Sequence, residues 1–133
     1  MYSEKAMKNF ENPQNAYRML DADAESSVGE PWCGDSLRMY IKVNDNVIED
    51  ISYLAFGCGA LIATSSMTSI IAKDKTLEEA LKIREQDIVE ALDGLPEVKR
   101  NCSSLAVNAL KTAIQVYEDK RAKPKIQSMQ WPY

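Results

Sequence analysis

The stretch LRMYIKVNDNVIEDISYLAF, Leu37 to Phe56, decides the fold. Leu37, Met39, Ile41 and Val43 alternate with Arg38, Tyr40 and Lys42, and a period of two marks a strand with one buried face. Asn44-Asp45-Asn46 is turn chemistry. Val47 to Phe56 reads as the returning strand, with less regular alternation, so the segment predicts an antiparallel hairpin. Directly behind it, after Gly57-Cys58-Gly59, the period becomes helical. Ala60, Ala63, Met67, Ile70 and Ile71 fall on one face, with serines and threonines opposite.

Upstream, Ser3 caps a short helix that Asn12-Pro13 ends, because proline removes a donor and restricts the residue before it. Asp21 to Pro31 is polar and broken by Gly and Pro, a loop with a short strand in it. Downstream, Thr76-Leu77-Glu78-Glu79 is a capping box opening a helix that runs to about Ile83. A further helix covers Asp87 to Leu92, stopped by Gly94 and Pro96. In the last helix Ala106, Ala109, Leu110, Ala113, Ile114 and Tyr117 step by three and four. The expected fold is a small α+β domain, an antiparallel sheet of about three strands with helices packed on one face. It spans residues 1–122, and 123–133 form a flexible tail without periodicity.

A chain of 133 residues with 45% hydrophobic and 27% charged residues is one globular domain. A net charge of −4 argues against nucleic acid as the main partner, since phosphate binding needs a clustered positive surface. No apolar run approaches the roughly 20 residues that span a bilayer, so no membrane partner is expected. The N-terminus lacks the apolar stretch of a secretory signal, which places the protein in the cytoplasm or an equivalent reducing compartment. There are three cysteines and no histidine. An odd set of widely spaced cysteines in a reducing compartment points to thiol chemistry or metal binding in preference to disulfides.

Cys33 stands just before a strand, Cys58 at a strand-to-helix junction and Cys102 at a helix start. Element ends are where loops gather functional groups on a rigid scaffold. A helix N-terminus stabilises a thiolate, and Lys99 and Arg100 add charge beside Cys102, so Cys58 and Cys102 are expected to be reactive nucleophiles or ready ligands. The glycines around Cys58 and after Cys33 let the backbone approach a bulky inorganic group. Asp35 can direct a carboxylate into the same space. Taken singly, each cysteine could be a small buried hydrophobe and Asp35 a turn residue. Met7, Met39 and Met67 read as packing. Trp32 could shield a site from water.

Tyr2-Ser3-Glu4-Lys5, Glu11-Asn12-Pro13, Cys33-Gly34-Asp35, Gly57-Cys58-Gly59, Leu95-Pro96-Glu97-Val98-Lys99 and Cys102-Ser103 occur in that order. Together they resemble the iron-sulfur cluster assembly scaffolds, the family of IscU and the NifU N-terminal domain, from about Tyr2 to Lys120. The resemblance implies a carrier, not an enzyme. It would build a [2Fe-2S] cluster, with [4Fe-4S] as the other nuclearity, from iron and desulfurase-derived sulfur, and transfer it to apo acceptor proteins. Cys33, Cys58 and Cys102 would be the ligands and Cys102 the sulfur acceptor. Asp35 matches an aspartate associated with cluster lability. A cysteine desulfurase is the implied partner, with ferredoxin as a further one and a homodimer as one loaded state.

Two departures stand out. Asn101 replaces the histidine usual before the third cysteine, and is either a helix cap or a hydrogen-bonding group near the cluster. Glu97 replaces the second proline of the Hsp70-type chaperone motif, which counts against chaperone handling. Without histidine, Asp35 is the choice for fourth ligand, with Asn101, solvent or a partner's side chain as alternatives. Three soft thiolates and one hard oxygen leave an exchangeable corner. The alternative function is a zinc-binding sulfurtransferase of the SUF type, holding zinc at the same residues and accepting persulfide sulfur. Such proteins carry an insertion between the second and third cysteines that this chain lacks. A structural zinc module would want paired Cys-x-x-Cys knuckles, also lacking here.

Overall fold

The computed structural model describes residues 2–30, 35–99 and 101–122. The expectations for Trp32, Cys33, Gly34, Arg100 and the 123–133 tail lie outside them. The elements are α1 (Glu4–Glu11), β1 (Ala24–Glu30), β2 (Asp35–Asn44), β3 (Val47–Phe56), α2 (Gly59–Ala72), α3 (Leu77–Leu81), α4 (Glu85–Ala91), a 3-10 turn (Glu97–Lys99) and α5 (Asn101–Ala122). The strands form one antiparallel sheet in the order β1-β2-β3, the α+β arrangement expected from the sequence.

The hairpin forms where its residues place it. Asp45 and Asn46 both adopt positive φ, 53° and 63°, the requirement of the tight turn whose twist matches the strands. Asn44 then pairs with Val47. Met39 faces Tyr53 and Ile41 faces Ile51, and all four are buried in one core with Leu61 of α2 and Leu110 and Ile114 of α5. Burying each such side chain contributes about 1.5–3 kcal/mol. The free edge of β3 is paired: Ile48 donates to the Lys75 carbonyl and accepts from Asp74, and Tyr53 donates to the Asn15 carbonyl. These bonds cover part of that edge of the sheet.

The polar stretch before Pro31 builds a full strand, β1. Its burial is completed from outside the strand, for Ser26 Oγ donates to the Ala109 carbonyl of α5 at 2.7 Å. The helix ends follow the sequence closely. Ser3 Oγ accepts from the Ala6 amide and donates to the Leu92 carbonyl, which ties α1 to the end of α4. Thr76 and Glu79 form the reciprocal capping box.

Two expectations are corrected. Tyr40, assigned to the polar face of β2, is 2% exposed, and its partner Ser52 is buried too. The connection between α1 and β1 lies against this second face, where Met19 is buried and shares a recess with Tyr40. In α2 the face expected to be polar is buried as well, at Thr64, Ser65, Ser66, Thr68 and Ser69, while of the expected apolar face Ala60 and Ala63 are buried, Met67 and Ile71 are partly buried and Ile70 is 45% exposed. This helix is surrounded by α1, β3, α4 and α5, so its inward positions need small side chains. The hydroxyls are satisfied locally, Thr68 donating to the Thr64 carbonyl and Ser69 to that of Ser66. Ser66 also holds α1, donating to Asn9 Oδ1 at 2.7 Å and accepting from the Gln14 amide at 3.0 Å.

Ser65 Oγ, by contrast, is buried without a hydrogen-bond partner among the described residues. A lost partner costs about 1 kcal/mol, whereas deleting an unpaired buried hydroxyl removes a penalty. Ser66→Ala should therefore lower stability by about 1 kcal/mol and Ser65→Ala should leave it unchanged or raise it. Urea unfolding of both variants checks this, and equal losses would contradict the assignment.

Candidate metal-cluster site

Three element ends converge. Asp35 opens β2, Cys58 is the residue before α2, and Cys102 is the second residue of α5. Their ligand atoms, two sulfurs and a carboxylate oxygen, all lie within 4.8 Å of one another. Cys58 Sγ and Cys102 Sγ are 3.7 Å apart and both cysteines are free. That is far beyond a disulfide length of about 2.05 Å, and close enough for one metal centre to touch both.

Each donor is placed by its element. Cys58 takes the N-cap conformation, φ −74° and ψ 168°, and its carbonyl accepts the first helical amide bonds, from Leu61 and Ile62. Its side chain makes no cap hydrogen bond, which leaves the sulfur for other work. The Cys58 amide donates to Asp35 Oδ1 at 3.4 Å, a long bond that turns the carboxylate toward the sulfurs. Thr64 Oγ1 lies 2.8 Å from the Ala60 carbonyl and 3.4 Å from that of Cys102, bridging the first turns of α2 and α5. Gly59 meets the ring of Phe10, where a Cβ would stand 3.0 Å from a ring carbon. Phe10 forms with Tyr2, Ala6, Met7 and Gly59 an apolar recess of about 280 Å³ next to Cys58. Asn101 is the first helical residue of α5, not the cap before it, and is exposed.

Of the residues expected at the site, the structure therefore unites Asp35, Cys58 and Cys102. Cys33 lies outside the described residues. Met39 is core and Met67 partly buried, as read, whereas Met7 is 39% exposed on the rim of the recess. The contribution of α1 was not visible from sequence, since nothing in Phe10 marks it as a neighbour of Gly59.

The expected reactive thiolate at Cys102 is corrected. Cys102 is 6% exposed, and burial, followed by the neighbouring Cys58 sulfur and the Asp35 carboxylate, pushes its pKa from 9.0 up to about 12, with Lys99 opposing weakly. The magnitudes explain the outcome. A helix N-terminus contributes about 0.3–1 kcal/mol, less than one pKa unit, whereas full desolvation moves a pKa by as much as 3–5 units. Free Cys102 holds its proton in neutral solution.

A thiol whose pKa is higher folded than unfolded gives stability that is present below pH 9 and is lost as pH rises toward 12. Metal-free protein should thus lose stability more steeply across that window than its Cys102→Ala variant, as followed by denaturant titration at each pH. Parallel curves would show that Cys102 is not desolvated.

Comparison with known proteins identifies the family. Residues 1–124 match the model of the NifU-like N terminal domain. The Iron-sulfur cluster assembly scaffold protein IscU 1 of Archaeoglobus fulgidus is 53% identical over 123 residues, covering 92% of this chain and 80% of the relative. IscU of Escherichia coli K12 is 44% identical over 124 residues, covering 90% and 96%. The crystal structure of a NifU-like N-terminal protein from Brucella abortus superimposes with a TM-score of 0.72 at 20% identity, covering 89% of this chain and 94% of that one, and supports the fold. The chain belongs to the NifU-like N-terminal domain family.

Proposed function

We propose that this protein is an iron-sulfur cluster assembly scaffold. It builds a [2Fe-2S] cluster on Cys33, Cys58 and Cys102 with Asp35 in the fourth position, in the cytoplasm, and passes it to apo acceptor proteins. The observation that carries the reading is the convergence of the Asp35, Cys58 and Cys102 donors within 4.8 Å at the ends of separate elements. Cys33 is two residues from Asp35 in the chain, a span of no more than about 7 Å between α-carbons. The names of the relatives, at 44–53% identity, support the same role.

The donor chemistry suits a carrier. Thiolates hold iron tightly, whereas a carboxylate oxygen is a harder donor than iron in a sulfide cluster prefers. One oxygen among three sulfurs gives a site that assembles its cargo and releases it. Sulfur arrives as the persulfide of a cysteine desulfurase. The Cys102 thiolate attacks the terminal sulfur, a new S–S bond forms on this chain, and the desulfurase cysteine leaves as its thiolate. Two electrons per sulfur, from a ferredoxin or a thiol reductant, then cleave that S–S bond, free the sulfur as cluster sulfide and return the Cys102 thiolate. Because Cys102 is buried and protonated in the free protein, the initial attack requires the desulfurase to open the start of α5. The interval from Cys58 to Cys102 is occupied by α2, α3, α4 and short connections, without the insertion that marks the zinc-binding sulfurtransferases.

Anaerobic reconstitution with iron, cysteine and a desulfurase, followed by iron and sulfide analysis, tests the proposal. Wild-type protein should take up iron and sulfide in equal amounts with the absorption of a [2Fe-2S] centre, and Cys58→Ser and Cys102→Ser should not. Asp35→Ala should lengthen cluster lifetime and slow transfer to an apo-ferredoxin by about tenfold, within the ~10–100-fold range of changes around a metal site. Iron-free wild-type protein, or transfer from Asp35→Ala at the wild-type rate, would contradict it.

A further inference from the structure

The glycine ahead of Cys58 touches the site more closely than a turn residue would. A Cβ built on Gly57 would overlap Asp35 Oδ1 and come within 3.1 Å of Asp35 Cγ and 3.0 Å of Leu61 Cδ2. The backbone itself does not call for glycine here, because the positive-φ glycines among the described residues are Gly29 and Gly94. Gly57 is needed for space, and the group filling that space is the Asp35 carboxylate.

The crowding can be relieved in only one substantial way. Leu61 Cδ2 is the tip of an aliphatic side chain and can yield by a few tenths of an ångström. The main chain of Asp35 cannot retreat. It pairs with Glu30 at the end of the β1–β2 ladder, and Gly29, at φ 93°, brings its own α-carbon so near the Asp35 carbonyl that a Cβ there would overlap it. Rotation of the Asp35 side chain remains. That rotation takes Oδ1 off the Cys58 amide, which it meets at 3.4 Å, and turns away the carboxylate that supplies the oxygen lying within 4.8 Å of both sulfurs.

We propose that Gly57 is a positioning residue for cluster release: its bare backbone holds the pocket in which the Asp35 carboxylate stands beside Cys58 and Cys102, and any side chain at 57 expels that carboxylate from the ligand set. Gly57 touches no cargo itself and acts through Asp35. The inference rests on the reading of Asp35 as the oxygen ligand.

The test uses full-length Gly57→Ala, Asp35→Ala and the double variant, with two readouts. The first is binding of Co²⁺ to the metal-free protein, followed by its visible absorption. The second is the lifetime of the reconstituted cluster. Cobalt accepts carboxylate oxygen readily, so Gly57→Ala should weaken Co²⁺ binding by about tenfold or more, in the range found when groups orienting a ligand are removed. It should also lengthen cluster lifetime toward that of Asp35→Ala, and the double variant should match Asp35→Ala alone. The Leu61 contact persists in the double variant, so a further change there would contradict the proposal. So would Gly57→Ala behaving as wild type while Asp35→Ala does not, an outcome that fails Gly57 and spares Asp35. Wild-type behaviour of Asp35→Ala in both readouts would overturn the ligand assignment and this inference together. Weaker cobalt binding with faster cluster loss would mark a loosened fold and would also contradict it.

Discussion

The site depends on α2 and α5 starting side by side at one end of the sheet. Two sulfurs come within 3.7 Å because Cys58 precedes the first turn of one helix and Cys102 lies in the first turn of the other. Helices approach that closely only where their facing side chains are small. Ala60, Ala63 and Thr64 of α2 and Ala106 and Ala109 of α5 are all buried, and Thr64 spans the remaining gap to the Cys102 carbonyl. The hairpin then delivers Asp35 and Gly57 to the same end, since β2 begins where β3 finishes.

This packing sets the chemistry in two opposing ways. It brings the donors together at the ends of packed elements, so the cost of ordering them is met by the fold. It also shuts Cys102 away from water, so its thiol keeps its proton, raised to about 12. A preformed site with a protonated ligand binds only when something removes that proton, either a metal ion or a desulfurase that opens the start of α5. On the proposed function, loading is coupled to the loss of that proton, and release to the one donor that is not sulfur. Among the described residues, Asp35 is held by one long hydrogen bond and stands in the space that Gly57 leaves.

Much of this was legible in the residues themselves. Alternation in Leu37–Val43, the Asp45-Asn46 turn, and the Ser3 and Thr76 caps are local signals, and the structure obeys them because local geometry decides them. The cysteines were readable as a site because each stands at an element end. What could not be read is non-local. Tyr40 looks solvent-facing until the segment after α1 covers it, and the serines of α2 look exposed until four neighbours surround that helix. The sign of the Lys99 effect on Cys102 is legible in the sequence, but desolvation by burial is the larger quantity. The role of Gly57 belongs to the same class, since the sequence shows a glycine beside a cysteine and gives no hint that an aspartate fills its missing side chain.

The central claim is that the cluster sits on three thiolates and one oxygen, so its two irons are not equivalent. Mössbauer spectroscopy of wild-type protein reconstituted with ⁵⁷Fe reads this directly. The account predicts two quadrupole doublets of equal area, one from iron held by thiolates and sulfide alone and one from iron that also binds oxygen. A single doublet from two all-sulfur irons would contradict it, as would directly coordinated nitrogen in pulsed EPR of the reduced cluster.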